Sequence, residues 1–321
     1  MLRKLIAIAI VAVCAAAGAQ PYPSKPVILI VPFSPGGPTD VVARSLAAAL
    51  GRALGQSVIV ENKASSGGIV GSEAVQRAEP DGYTLLIHNI GMSTLPALSR
   101  NLRFNPLKDF AYIGEVVDVP MALVGRKDLK PTGFKDLLPY LKAQQRQVNI
   151  ANAGMGTASH LCGLLLMSRL NIAMTSVSYK GAAPALTDLM GGHVDILCDQ
   201  VTTTTQPIRG GLIRAYGATT EERLATLPEV QTLHEQGLSD FQIAVWHGVY
   251  APKATPRQIV DRLAGALRAA LVDKEFSEAM ARLGALPVSP DRASPNGLQM
   301  QLSREVERWT PIIQKAQIYL D

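Results

Sequence analysis

Two short runs rich in glycine and hydroxyl side chains carry the chemistry of this sequence. They are Phe33-Ser34-Pro35-Gly36-Gly37-Pro38-Thr39-Asp40 and Ala153-Gly154-Met155-Gly156-Thr157-Ala158-Ser159-His160. Each follows a strand-like run, Val27–Val31 and Val148–Ala151, and each leads into an apolar stretch with helical spacing. A strand, a glycine turn and a helix in that order aim free backbone N–H groups and hydroxyls at the positive end of a helix dipole, where anions bind. Neither run contains Lys or Arg. A charged ligand held there is held by dipoles and hydroxyls, which suits a small carboxylate that must also be released.

Other chemistries fit less well. Gly154-x-Gly156-x-x-Ser159 lacks the third glycine of a dinucleotide fingerprint. Ser159-His160 is not set in a G-x-S-x-G elbow, and adjacent helical residues project about 100° apart. Neither C-x-x-C nor H-E-x-x-H occurs, so metal and thioredoxin-type chemistry have no support. No cofactor and no catalytic residue is expected, with a hydrolase as a minor alternative. The bland reading of Ser34, Gly36, Gly37 and Thr39, and equally of Gly154, Gly156, Thr157 and Ser159, is a tight turn with a helix cap. Asp40 is expected to complement its helix start or to orient a bridging water. His160 reads as a structural histidine on a first helical turn.

The elements that must position these loops alternate strand and helix almost throughout, the signature of parallel α/β sheets. Strands are expected at Val27–Val31, Val58–Glu61, Tyr83–His88, Phe110–Val117, Ala122–Gly125, Val148–Ala151, Ser176–Tyr179, Val194–Cys198, Leu212–Ala218 and Phe241–Tyr250. Helices are expected at Thr39–Leu54, Phe134–Gln144, Ser159–Leu170, Pro184–Met190, Pro256–Leu271 and Phe276–Leu283. A last helix, Arg304–Ile318, is expected to kink or break at Pro311. Chain crossings at Pro120–Gly125 and Ala244–Tyr250 predict two hinged lobes with a cleft between them.

Arg3-Lys4, the apolar run Leu5–Ala16 and the A-x-A site Ala17-Gly18-Ala19 read as a cleaved signal peptide. The 31 basic and 26 acidic residues give a net charge of +5, or +3 once Arg3 and Lys4 are removed. The basic residues form no stripe with aromatics between them, so nucleic-acid binding is not expected. Cys162 and Cys198 remain after processing. A disulfide is chemically allowed in an oxidising compartment, but both sites read as small buried hydrophobes rather than a bridge.

The chain resembles the Bug receptors, the periplasmic receptors of tripartite tricarboxylate transporters. The resemblance rests on Tyr22-Pro23-Ser24-Lys25-Pro26, the Pro32–Asp40 loop, Val60-Glu61-Asn62-Lys63 and Gly67-Gly68. It continues through Pro80-Asp81-Gly82-Tyr83, Lys108-Asp109-Phe110, Ala153-Gly154-x-Gly156 with Ser159-His160-Leu161, Tyr179-Lys180-Gly181 and Ala251-Pro252. It implies an α/β type II periplasmic binding-protein fold: two doubly wound lobes joined by two crossing strands. The expected division is a signal peptide over 1–19, a first lobe of 20–121 plus 247–321, and a second lobe of 122–246.

The resemblance also implies a periplasmic monomer that binds a small carboxylate between the lobes and passes it to the integral membrane subunits of a transporter. A ligand-dependent sensor is the alternative. Expected ligand contacts are Phe33, Ser34, Gly36, Gly37, Thr39, Asp40 and Gly67 in the first lobe, and Gly154, Gly156, Thr157 and Ser159 in the second. His88, Tyr179 and Asp199 are added at strand ends. His88-Asn89, Trp246-His247-Gly248 and Cys198 depart from the usual family residues, so the distal pocket is where this chain is expected to differ. There His88 is read as a donor to the ligand's second polar group, strengthened if protonated.

Overall fold

Val27–Val31, an unbroken VILIV run, forms β1 at the heart of a sheet and is buried along almost its whole length. Continuous apolar runs of this kind are what strands covered on both faces require. The computed structural model describes residues 22–239, 241–316 and 319. The expected signal peptide lies outside them.

β1 pairs in parallel with β2 (Val58–Asn62) and with β3 (Thr84–Asn89). On the far side of β3 lies β9 (Ala244–Pro252), antiparallel to it, and then β4 (Phe110–Arg126). A second sheet grows from the other end of the same β4. Met121 to Gly125 pair with β7 (Ile196–Gln200), and Ala122 to Arg126 pair with β8 (Ile213–Ala218). Beyond β7 come β5 (Asn149–Asn152) and β6 (Thr175–Ser178), all three parallel.

Among the described residues, ten helices complete the fold. α1 (Pro38–Leu54), α2 (Ile69–Gln76) and α3 (Gly91–Leu98) belong with the first sheet. α4 (Phe134–Gln144), α5 (Ala158–Leu170), α6 (Ala182–Met190) and α7 (Val201–Arg209) belong with the second. α8 (Arg257–Leu271), α9 (Lys274–Arg282) and α10 (Pro295–Ala316) follow β9. α1 turns Val42, Ala43, Leu46 and Leu50 onto β1, and Gly55 ends it in the left-handed conformation that glycine adopts without penalty.

Four expectations are corrected. Phe110–Val117 and Ala122–Gly125 are one 17-residue strand. Pro120, where a break was read, stands where β4 leaves one sheet for the other, so its missing N–H interrupts neither ladder. α10 begins at Pro295 rather than Arg304 and continues through Pro311, with Trp309 and Ile313 buried on either side of the proline. α3 was not foreseen. Lastly, Cys162 and Cys198 form a disulfide. α5 packs across β7 and brings the two Cα atoms to 6.1 Å, within the range a bridge spans.

Candidate functional site

The parallel strands end on one side of the molecule, and four helices begin there. α1 starts beyond the loop that follows β1, α5 beyond the loop after β5, α6 shortly after β6, and α7 directly from β7. Gly37, Pro38 and Thr39, Thr157 to Ser159, Ala182 and Gln200 surround one small cavity of about 20 Å³. That is space for about one water molecule. The caps of α1, α6 and α7 make no side-chain hydrogen bond, which leaves their leading N–H groups for other acceptors. Of the four, the helix α5 alone has a side-chain cap, Thr157, which accepts from the His160 N–H. No Lys or Arg lines the cavity. The charge that favours an anion here comes from four helix ends rather than a cation.

Of the expected contacts, Phe33, Gly37, Thr39, Thr157, Ser159 and Asp199 meet around the cavity. The Ser159 hydroxyl is buried without a partner, as is Gln200 Oε1 beside Asp199. Asp199 is 1% exposed and faces no cation; burial pushes its carboxyl up to about 7, against the hydrogen bond it accepts from Thr203 Oγ1 at 3.0 Å.

The other expected residues build the walls rather than line them. Burial alone would raise the Asp40 carboxyl, but Arg44, the Gly36 N–H and Asn62 all donate to it and bring it below its ordinary value. Asp40 thereby fastens the first loop and has no free oxygen for a ligand. Gly36, with φ +75°, supplies the turn that lets its N–H reach Asp40. The Gly154 carbonyl accepts from Thr157 Oγ1 at 2.6 Å, and the Gly156 carbonyl from Thr94 Oγ1 of α3 at 2.9 Å. Ser34 Oγ is buried against Gly181, where a β-carbon would collide with it, so the loop after β1 touches the start of α6 at this point.

Three residues move further from expectation. Gly67 lies in a short 3-10 turn, Ser66–Gly68, behind the first loop. Tyr179 donates its hydroxyl to Asp188 at 2.6 Å and stands off the cavity; burial, with that bond, pushes its phenol up to about 12. His88 is fully buried behind Phe33, ring centroids 5.2 Å apart, and does not line the cavity. Burial pushes its imidazole down to about 4, so the ring is neutral and protonation does not strengthen the donor role read for it from the sequence.

Residues not selected from the sequence also matter. Asn89 lines the cavity and donates Nδ2 to Thr39 Oγ1 at 3.1 Å. The starts of α6 and α7 form walls that the isolated loop motifs did not announce. Gly181 before the Ala-rich stretch was the available signal for α6, because glycine is among the residues that helix N-caps accept.

The family model of the tripartite tricarboxylate transporter family receptor matches residues 42–318. The chain belongs to this receptor family. Among relatives of this receptor, the UPF0065 protein of the TAR-I ttuE-ttuC' intergenic region of Agrobacterium vitis is 45% identical over 295 residues, covering 92% of this chain and 85% of its own. The structure of the periplasmic binding protein BugD superposes with a TM-score of 0.90 at 44% identity, over 93% of this chain and 99% of that one. MatC from Rhodopseudomonas palustris, solved with bound malate, gives a TM-score of 0.87 at 34% identity, over 91% of this chain and all of its own. The fold is therefore the periplasmic binding-protein fold expected from the sequence, and the family is one of substrate-binding receptors. Among the described residues, no helix of this receptor is long and apolar enough to cross a membrane.

Proposed function

We propose that this receptor captures a small carboxylate in the cleft between its lobes, in the periplasm, and delivers it to the membrane subunits of a tripartite tricarboxylate-type transporter. One observation carries the reading: four helix N-termini from both sheets converge on one cavity that contains no basic side chain. Such a site attracts a carboxylate through partial charges and hydroxyls and lets it go again when the lobes part. The malate held by MatC is consistent with an acid of this size. The lobes follow the division at 121/122 and 246/247, with the two faces of the cleft supplied one by each.

Closure over the ligand creates a composite surface that neither lobe presents alone, which gives a membrane partner a means of selecting the loaded receptor. No bond need be made or broken in this cycle.

Thermal-shift screening with di- and tricarboxylates, acidic amino acids, aromatic acids and neutral sugars tests the reading. A carboxylate at about 100 times its Kd should add roughly 2.7 kcal/mol to stability. Ser159→Ala should weaken every acid that binds. A panel in which only neutral compounds raise the melting temperature would sink the proposal. Loss of ligand-triggered gene induction with uptake intact would move the receptor to a signalling role instead.

A further inference from the structure

Thr39 stands at the start of α1 and lines the cavity, and its hydroxyl oxygen is gripped from behind by two side chains. Asn89 Nδ2 donates to it at 3.1 Å, and His247 Nε2 lies 3.3 Å from it. Asn89 and His247 are direct cross-strand partners at the junction of β3 and β9, so two neighbouring strands converge on one oxygen. All three side chains are buried, with exposures of 2%, 5% and 0% for Thr39, Asn89 and His247.

The direction of each bond follows from the surroundings. Asn89 Oδ1 accepts from the Gly91 N–H at 2.9 Å, which fixes the amide so that its nitrogen faces Thr39. His247 Nδ1 makes no hydrogen bond of ordinary geometry, although the Val245 carbonyl lies near enough to the ring to favour a proton on it. A buried N–H left without an acceptor is rarer in proteins than an unused acceptor. With Thr39 Oγ1 at hydrogen-bond distance from Nε2 and no acceptor so placed at Nδ1, we place the imidazole proton on Nε2, where Thr39 can accept it, and the bare lone pair on Nδ1. Burial pushes the ring down to about 3, so it is neutral and carries a single proton. The Thr39 oxygen then accepts twice, which fills both lone pairs of a hydroxyl. Its own proton is left to point away from both donors, towards the cavity.

We infer that Asn89 and His247 hold the Thr39 hydroxyl as a committed donor to the ligand's carboxylate, which makes His247 a positioning residue of the site. This rests on the reading that a carboxylate occupies the cavity. A hydroxyl free to rotate both gives and accepts, and so tolerates acids, alcohols and amines alike. One whose lone pairs are filled can only donate. It discriminates against ligands that present a donor at this point, because two donors would then face one another.

Two measurements test the inference, and the first needs no ligand. Long-range proton–nitrogen NMR of the 15N-labelled protein, with the His247 signals identified by their loss in His247→Phe, should show a neutral ring protonated at Nε2. A proton on Nδ1 overturns the inference whichever acids bind. The second is a double-mutant cycle read by calorimetry with L-malate, succinate and L-aspartate. His247→Phe should weaken the acids that bind by on the order of tenfold. It should have no further effect in a Thr39→Val background, and His247→Gln, which keeps an N–H donor, should recover most of the loss. Equal weakening by His247→Phe with and without the Thr39 hydroxyl overturns the inference. If none of the three acids binds the unaltered receptor, the carboxylate reading fails by that route, and the NMR result still decides the tautomer.

Discussion

Asp199 is a buried carboxyl with no counter-ion, and its titration links the cleft to the stability of the fold. In the folded receptor burial holds its proton up to about pH 7, whereas the unfolded chain releases it near its ordinary value of 3.8. The folded state thus binds the proton more tightly. The stabilisation is complete below about pH 4 and is lost as pH rises towards 7. Asp199→Asn does not titrate, so its melting temperature relative to the unaltered receptor should climb between about pH 4 and pH 7 and level off above. Thermal melts of both proteins across that range check the sign; a flat difference would show that Asp199 is ionised in the fold. At this scale the sequence was half legible. Thr39, Thr157 and Ser159 are small hydroxyl residues in glycine turns before helices, a local pattern that local reasoning reads. His88 was misplaced because its orientation depends on Phe33, distant in the chain, which covers it. Asp40 complements its helix start, as one of its two readings had it, held by Gly36 and Arg44 nearby and by Asn62 from the next strand.

The elements around the second sheet are tied where the site needs them. Cys162 lies one turn beyond Ser159 on α5, and Cys198 immediately precedes Asp199 on β7, so the bridge joins the two elements that carry those side chains. The bridged residues are 36 apart in sequence. Closing a loop of that size restricts the unfolded chain by about 3 to 4 kcal/mol in the chain-entropy account. Urea unfolding with and without a phosphine reductant should show a loss of that order, and an unchanged midpoint would mean that the bridge contributes nothing to stability. The bridge was missed because pairing depends on how α5 crosses β7, which spacing does not encode. α3 was missed for a different reason. Gly91, Ser93, Thr94 and Pro96 are poor helix formers, and its start is organised by Asn89 Oδ1 from the preceding strand. Strands such as VILIV were plain, because burial on both faces writes itself as an apolar run.

For the whole molecule, the space of about 20 Å³ among the converging helix ends is too small for an acid of several carbon atoms, so the proposed capture requires the two lobes to part. A β-carbon at Gly36 would stand 3.9 Å from that of Ala183, across the contact between the first loop and α6. This separation suits a disulfide. Gly36→Cys with Ala183→Cys should bind its acid when reduced, with some weakening because Gly36 has φ +75°, and should neither take up nor release it once oxidised. Exchange of radiolabelled acid before and after oxidation measures this; free exchange in the oxidised form would show that the ligand reaches the site without the lobes parting. The shared strand β4 and its neighbour β9 have another consequence, which concerns the order of assembly. β9 lies between β3 and β4 in the first sheet, yet it follows every strand of the second sheet in the chain. A polypeptide emerging from its N-terminus can therefore complete the second sheet while the first still lacks the strand that joins β3 to β4. The sheet that begins the chain is the last to be finished, and until β9 arrives the inner edge of β3 is open to wrong partners.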